Sequence, residues 1–298
     1  MQQNQPPRMQ CFAKWNFSPV FSDENNPRLV YACDLPPNVL SSHLRAMHAH
    51  QDLTEVLLIY SGGGELLLGG RKHAICPGDL VIYNPGVVHD EWSWRENEVG
   101  HYCIGVNGLH MPGLRENALI PEEQNCVFSA GDSFEKLRTL FEMIYHSLLA
   151  GEPQAELFCD GLTRALLIKV LSVVNGAGAS PIEPPDVLGK RIQDYIDTHY
   201  TEALTLQSIG DALHISPYYL SHVFKKEVGY SPMQYLLRRR IGEAQTLLLT
   251  TSLPVGQISE KVGYDTQSYF NQQFTKQMGM SPGRYRQVFT GSKRENRN

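Results

Sequence analysis

The sequence predicts an α+β protein of two domains, a β-barrel with a helical pair followed by an all-α domain. Three observations support this fold class. Residues 28–106 contain short apolar runs separated by Gly and Pro at close intervals, which is typical of a small barrel. Residues 133–174 change to the helical spacing of apolar residues. The last third of the chain repeats one helical motif, which predicts a duplicated helical unit.

The barrel region carries a patterned group of histidines. The pattern consists of His48-x-His50-x4-Glu55-x6-Gly62, followed by Gly78, Gly86 and His89. It resembles the two motifs of the cupin superfamily of β-barrels, with Asn84 and Ser93 at positions where Pro and Asn are usual. The resemblance to metal-binding cupins implies a divalent ion held by His48, His50, Glu55 and His89. Imidazole and carboxylate ligands suit Zn, Fe, Ni or Mn.

A second kind of occupant is open for the same site. Regulatory cupins keep such residues to bind an organic effector or to pack the barrel, and the organic effector is the occupant that we expect. Trp92 and Trp94 follow the second motif and are candidates for the pocket wall, although an aromatic side chain in a barrel is also commonly a core residue. The candidate effector-binding residues are His48, His50, Glu55, His89, Trp92 and Trp94.

The segment after the barrel predicts an antiparallel helix pair. Phe141 and Ile144 lie on the apolar face of its first helix, which can either join two subunits or pack on the barrel. Residues 175–186 are rich in Gly and Pro and predict a linker. The predicted domains are an N-terminal arm (1–27), the barrel (28–132), the helical dimerisation region (133–174), the linker (175–186), a tandem helical domain (187–290) and a disordered tail (291–298).

A duplication defines the C-terminal domain. The segment "LSHVFKKEVGYSPMQY" at 220–235 returns fifty residues later as "FNQQFTKQMGMSPGRY" at 270–285. In each copy a Gly ends one helix, a Ser caps the next helix and a Pro occupies its first turn. A short amphipathic segment and a turn precede each copy. Two helices across a tight turn form a helix-turn-helix unit, so the chain is predicted to carry two of them.

The duplicated segment resembles the DNA-binding domain of the AraC/XylS family of transcriptional regulators. The second copy, "VGYDTQSYFNQQFTKQMGMSPGRYR", matches the family pattern best. The resemblance implies sequence-specific binding of double-stranded DNA, an N-terminal sensor of a small molecule, a homodimer and contact with RNA polymerase. The alternative for this domain is a helical adaptor that never meets DNA.

Helical spacing identifies the side chains that we expect on DNA. Ser216 and Asp265 are the expected caps of the two recognition helices. The outward-facing residues are Tyr218, Ser221, His222 and Lys225 in the first helix and Gln267, Ser268, Asn271 and Gln272 in the second. Gln and Asn can each form two hydrogen bonds with an adenine edge. The family resemblance implies base contacts by Tyr218, Ser221, His222, Gln267, Ser268 and Gln272.

A helix over 232–249 is predicted to join the two units, with Leu237 and Ile241 on its apolar face. Arg238, Arg239 and Arg240 lie near its start. Arginines at this place can hold phosphates and fix the register of the protein on DNA, and Arg239 is the predicted phosphate contact. The alternative is that the three arginines only form a solvated helix face.

Charge and composition agree with a DNA-binding module joined to a sensor. The net charge is −5, but from Asp186 onward fourteen Lys and Arg face ten Asp and Glu. The six cysteines have no paired spacing and are expected to be reduced thiols. The N-terminus has no apolar core like that of a signal peptide, and no apolar run reaches membrane-spanning length, so a cytoplasmic protein is expected.

These observations together predict an effector-responsive transcriptional regulator that is not an enzyme. Its partners are DNA, a small-molecule effector and a second subunit, and a divalent ion in the barrel is its one candidate cofactor. Two alternatives belong to other classes. One is a cupin metalloenzyme, such as a dioxygenase or isomerase, fused to a DNA-binding domain. The other is a regulator without a ligand, whose barrel serves only for assembly.

Overall fold

Five antiparallel strands form the main sheet of the N-terminal domain, in the order β1-β6-β2-β5-β7. The computed structural model describes residues 19–21, 25–37, 46–68, 71–90, 99–122, 124–177 and 187–290. The strands found there are β1 (Arg28–Leu35), β2 (Thr54–Ser61), β3 (Gly64–Leu68), β4 (Arg71–Ile75), β5 (Asp79–Tyr83), β6 (Gly100–Asn107) and β7 (Val127–Ser129). Strands β3 and β4 pair as a separate hairpin. The predicted α+β class is confirmed, but the described strands form two sheets and do not close a barrel.

The central strand β2 is buried on both faces, which explains its nearly continuous apolar sequence. Val56 and Leu58 pack in the same core as the helical pair, while Leu57 and Ile59 pack with residues of the β3–β4 hairpin. Side chains alternate between the faces of a strand, so Glu55 shares the face of Leu57. This carboxylate therefore points into the space between the two sheets.

Helices α1 (Phe134–Ala150) and α2 (Ala155–Gly176) pack on the other face of the main sheet. Phe141 and Ile144 are almost completely buried there, together with Leu166 and Val170. The predicted helix pair is confirmed. Its first apolar face is occupied within the chain, however, so that Phe141 and Ile144 do not form a subunit contact. Charged side chains at these two positions are expected to disrupt the core and not merely to separate subunits.

Seven helices form the C-terminal domain, within the described range 187–290. They are α3 (Val187–His199), α4 (Leu206–Leu213), α5 (Pro217–Val228), α6 (Pro232–Thr250), α7 (Val255–Lys261), α8 (Gln267–Met278) and α9 (Pro282–Thr290). Helices α4 and α5 form one helix-turn-helix unit, and α7 and α8 form the other. Each unit has its own core, which includes Leu220 and Phe224 in the first and Phe270 and Phe274 in the second.

Helix α6 connects the two units and contributes to both cores. Leu236 belongs to the first core, and Ile241 and Leu248 belong to the second. The preceding glycine, Gly229, ends α5 with a left-handed φ of 85°, and Ser231 caps α6 by accepting a hydrogen bond from the Gln234 amide. Of the helices that the structure describes, none is both long and apolar enough to cross a membrane.

Candidate nucleic-acid interface and histidine cluster

Helix α5 presents a polar face away from its core. Ser216 accepts a hydrogen bond from the Tyr219 amide and Pro217 follows in the first turn, which fixes where the helix begins. Tyr218 is 84% exposed, more than the other exposed aromatic residue of the helix, Tyr219. The predicted contacts His222 and Lys225 are exposed as well, whereas Ser221 is half-buried.

Helix α8 presents the equivalent face in the second unit. Its cap is Thr266, which accepts a hydrogen bond from the Tyr269 amide; the predicted cap Asp265 precedes it by one residue and does not cap the helix. The cap lies one residue later because Thr266, and not Asp265, has the extended backbone and the side-chain bond of an N-cap. The predicted contacts that the structure leaves exposed are Gln267, Ser268 and Gln272, while Asn271 is half-buried.

Two further aromatic side chains lie beside these predicted contacts. Tyr219 is 52% exposed and Tyr269 is 55% exposed, and both occupy the third position of their recognition helix. A tyrosine hydroxyl can donate a hydrogen bond to a phosphate oxygen. Sequence reasoning missed this pair, although the fifty-residue repeat aligns Tyr219 with Tyr269 and could have revealed it.

The arginines at the start of α6 are engaged within the protein. Arg239 is only 4% exposed and ion-pairs with Glu243 at 3.1 Å and with Asp197 at 3.7 Å. Arg238 pairs with Asp90, and Arg240 donates to the carbonyl oxygens of Tyr200 and Glu202. The predicted phosphate contact of Arg239 is therefore wrong, because its guanidinium group is buried against carboxylates. The alternative of a solvated helix face is wrong for this residue too.

The four predicted ligands in the N-terminal domain lie together. Glu55 projects from β2, His48 and His50 lie in the segment before it, and His89 follows β5. One donor atom from each residue lies within 4.8 Å of the others. Nε2 of His89 is 2.7 Å from Oε2 of Glu55, and Nε2 of His50 is 3.5 Å from Oε1. His48, Glu55 and His89 are buried, and His50 is partly accessible.

Hydrogen bonds to the backbone orient two of the imidazole rings. Nδ1 of His48 is 2.8 Å from the carbonyl oxygen of Ala46, and Nδ1 of His89 is 3.0 Å from that of Val87. Because a carbonyl oxygen can only accept, each Nδ1 carries a proton. Nε2 is then a lone-pair nitrogen when the ring is neutral and a second donor when the ring is protonated. Metal-binding histidines are commonly held in this way, with the nitrogen that does not bind the metal donating to a carbonyl.

The surroundings of Glu55 keep it ionised. Burial alone would raise its pKa, but the charge of His89 and hydrogen bonds from His50 and His89 outweigh burial and hold the pKa well below its usual range. The hydroxyl of Tyr31 also donates to this carboxylate. His101 is completely buried nearby, and burial lowers its pKa to about 4, against the opposing charge of Glu55.

The cluster has the donors and the dimensions of an ion site. Three imidazoles and one carboxylate converge on a space bounded by donor atoms, and Tyr83 stacks on His89 with 4.1 Å between ring centroids. The spacing of these donor atoms, all within 4.8 Å of one another, suits a single cation. Trp92 and Trp94, predicted to wall an effector pocket, lie outside the described residues.

Comparisons with known proteins find relatives for both the N-terminal and the C-terminal domain. A family described as an AraC-like ligand binding domain matches residues 40–171, and one described as a helix-turn-helix domain matches residues 209–288. Among the similar proteins of Escherichia coli K12, the uncharacterized HTH-type transcriptional regulator YijO is 38% identical over 76% of this chain and 79% of its own length. The uncharacterized HTH-type transcriptional regulator YdiP is 28% identical over 91% of this chain and 89% of its own length. The arabinose operon regulatory protein is 26% identical over 77% of this chain and 78% of its own length.

Proposed function

Because this chain belongs to the AraC/XylS family of DNA-binding transcriptional regulators, we propose that α5 and α8 read one DNA site together and that a ligand in the N-terminal domain controls this activity. The observation that carries the proposal for DNA is the equivalence of two exposed polar faces, on two helices joined by α6. Such helices enter successive major grooves about 34 Å apart.

Amides on α8 suit the reading of adenine. Gln267 and Gln272 are exposed on the helix that follows the second turn, and a Gln side chain can donate to and accept from one adenine edge. Tyr218 and His222 on α5 supply further groups for base edges, while Tyr219 and Tyr269 are suited to phosphates. The test is to recover the DNA that the purified protein selects from genomic fragments and to footprint it. Two protected major grooves one helical turn apart are expected, and a single protected groove would contradict the proposal.

For the N-terminal domain we propose a divalent transition-metal ion as the ligand, held by His48, His50, Glu55 and His89. The donor set and the orientation of Nε2 in two histidines support an ion at this place. Nε2 of His89 and Oε2 of Glu55 are both acceptors when the ring is neutral, so their 2.7 Å separation calls for a proton or a cation between them. Imidazole with carboxylate suits Zn²⁺, Fe²⁺, Ni²⁺ or Mn²⁺.

Metal analysis of the purified protein tests this assignment. We expect about one divalent ion per chain, and His50→Ala should abolish stoichiometric binding because it removes one of four donors. His110→Ala is the matched control, since His110 is an exposed histidine outside the cluster. If chelator-treated protein takes up no Zn²⁺, Ni²⁺ or Mn²⁺ at micromolar concentrations, the metal assignment is wrong. An oxygen-uptake screen on the same samples tests the metalloenzyme alternative.

A homodimer is proposed through the outward face of α2. Leu157 and Ile168 are 71% and 50% exposed and lie three turns apart on the same side of the helix. A Cβ atom added to Gly161, between them, would meet nothing within 4 Å, so a second helix can approach closely there. RNA polymerase is a further proposed partner. As a regulator that acts on DNA, the protein is expected in the cytoplasm.

A further inference from the structure

Two loop segments hold the histidines and also contact the DNA-binding domain. We call them the bridge loops, residues 46–50 and 87–90. They are joined to each other by two backbone hydrogen bonds of 2.9 Å between His48 and His89, one from each amide to the carbonyl oxygen of the other. A third bond, of 2.6 Å, runs from the amide of Gly86, directly before the second loop, to the carbonyl oxygen of His50. The two loops therefore form one unit.

The first bridge loop lies against helix α6. Its backbone amide at Ala46 donates to Oε1 of Gln245 at 2.8 Å, and both residues are buried. Gly242 of α6 lies so close that a Cβ atom there would collide with the carbonyl oxygens of Met47 and Ala46. Only glycine is compatible with this approach of two backbones.

The side chains of this loop reach both helix-turn-helix cores. Met47 is 2% exposed and packs in the first core with Phe224 and Leu236, whereas Ala46 packs in the second core with Ile241. The loop thus enters the junction between the two units, at the helix that sets their relative position. A displacement of the loop would remove contacts from both cores.

The second bridge loop adds a charged contact. The carboxylate of Asp90 is buried and pairs with the guanidinium group of Arg238, which also lies over the ring of Tyr230 at 4.5 Å from its centroid. Asp90 follows directly after His89. Removing one partner of a buried ion pair is strongly unfavourable, because the other charge is left without compensation.

Ligand residues and contact residues alternate along these loops. In the first loop, Met47 faces α6 while His48 belongs to the cluster; in the second, His89 belongs to the cluster while Asp90 faces α6. We propose that the bridge loops couple the histidine cluster to the DNA-binding domain, so that a divalent ion shared by His48, His50, Glu55 and His89 stabilises the docked arrangement of the two domains. This inference rests on the proposed metal site.

The direction of the coupling follows from the geometry. In the docked arrangement the donors of both loops already converge with Glu55 within 4.8 Å. An ion shared by His48 and His89 holds the two loops together in the conformation that fits α6, and a ligand that prefers one state shifts the population toward that state. The polar faces of α5 and α8 remain exposed while the domains are docked, so docking does not mask the DNA-binding surface.

Thermodynamic reciprocity gives a sharp test. If binding of the ion favours docking, a substitution that prevents docking must lower the affinity for the ion, even when the substituted residue lies in the other domain. Gly242→Ala is suitable, because the nearest atoms to its added Cβ all belong to the bridge loop. The matched control is Gly283→Ala in α9, where an added Cβ meets nothing within 4 Å. Arg238→Gln is a second variant, which removes the pair with Asp90 without adding volume.

The experiment measures Zn²⁺ affinity of the full chain by competition with a chromophoric chelator. We expect Gly242→Ala and Arg238→Gln each to lower the affinity by about fivefold or more, the usual range for coupled sites, and Gly283→Ala to leave it unchanged. Hydrogen exchange supplies a second readout: the Ala46 amide should exchange faster in Gly242→Ala, and in the wild type after chelation. Circular dichroism checks that each variant is folded.

The possible outcomes separate the two proposals. Wild-type affinity in both Gly242→Ala and Arg238→Gln would overturn the coupling and leave the metal site intact. Failure of the wild type to bind Zn²⁺ would overturn the metal site, and with it the coupling. Metal binding that weakens without any change in exchange at Ala46 would also contradict the inference, because docking would then not be the linked event.

Discussion

Arg239 lies over the ring of Tyr200, with 4.4 Å between the guanidinium carbon and the ring centroid. Its nitrogens also ion-pair with Asp197 of α3 and with Glu243 one turn along α6. The residue therefore joins α3 to α6, and both helices contribute to the core of the first helix-turn-helix unit. These contacts give Arg239 a structural role: it stabilises the packing of α3 and α6, against which α5 lies, and its buried guanidinium group is not available to DNA.

Replacing Arg239 by Gln is expected to destabilise the C-terminal domain by about 1–3 kcal/mol, because two partly buried carboxylates lose their counter-charge. The salt dependence of DNA binding should keep its slope, since no phosphate contact is removed. Lys225→Gln is the matched control: Lys225 is exposed on α5, and its loss should reduce the slope by about 1 with little effect on stability. Urea denaturation and binding at several salt concentrations measure both quantities. Unchanged stability with a reduced slope for Arg239→Gln would contradict this assignment.

The sequence predicts the C-terminal domain well for a physical reason. Gly229, Ser231 and their equivalents fifty residues later act through local backbone geometry, so helix ends and caps can be predicted without knowledge of distant contacts. The burial of Arg239 and its ion pair with Asp197 could not be predicted in this way. Its exposure depends on Asp197, forty-two residues earlier in the sequence, and nothing local indicates that these two residues meet.

The same distinction applies to the N-terminal domain. The cupin resemblance implied that His48, His50, Glu55 and His89 lie together, and they do, although His48 and His50 lie in a loop and not in a strand. The packing partner of the helical pair was harder to predict, because the apolar spacing of Phe141 and Ile144 is compatible with either a subunit contact or a core contact. The choice depends on where the main sheet lies. The contact of Met47 with α6 was also beyond prediction, since it depends on how two domains pack.

Base recognition by α8 leads to a second prediction. Gln267→Ala and Gln272→Ala are each expected to weaken binding to the selected DNA site by about 1–3 kcal/mol, because an adenine edge loses its hydrogen-bonding partner. Binding to random DNA should change little. Gln257→Ala in α7 is the control, as it removes an exposed Gln from a helix that is not expected to enter the groove. Fluorescence anisotropy with both DNAs measures the effect. Equal affinity of all three variants for the selected site would mean that α8 is placed wrongly on the DNA.

The outward face of α2 gives a third prediction. Leu157→Glu and Ile168→Glu together should convert the proposed dimer to monomers, since two charges would be buried against the other subunit. The fold should be kept, because both side chains point to solvent in the single chain. Thr139→Glu, at an exposed position of α1, is the control and should remain dimeric. Sedimentation velocity distinguishes the species, and a monomeric wild type would rule out the dimer.

Asp197 is the acid that links pH to the stability of the first unit. Burial raises its pKa to about 6, and the charge of Arg239 and the hydrogen bond from the Tyr235 hydroxyl oppose that rise. Both carboxylate oxygens accept from this hydroxyl, at 3.0 and 2.9 Å. An ordinary Asp in the unfolded chain titrates near 3.9. Between these two values the folded protein binds a proton that the unfolded chain has released.

The contribution of Asp197 to stability is therefore complete below about pH 4 and is lost as the pH rises through about 6. Over that interval the free energy of unfolding should fall by about 1–3 kcal/mol more in the wild type than in Asp197→Asn, because Asn does not titrate. The comparison cancels the titration of groups shared by both proteins. Urea unfolding at closely spaced pH values from 4 to 7, followed by helical circular dichroism, measures the two profiles. Parallel profiles would show that Asp197 titrates at its ordinary pKa in the folded protein. A wild type that gains stability relative to Asp197→Asn as the pH rises would have the wrong sign.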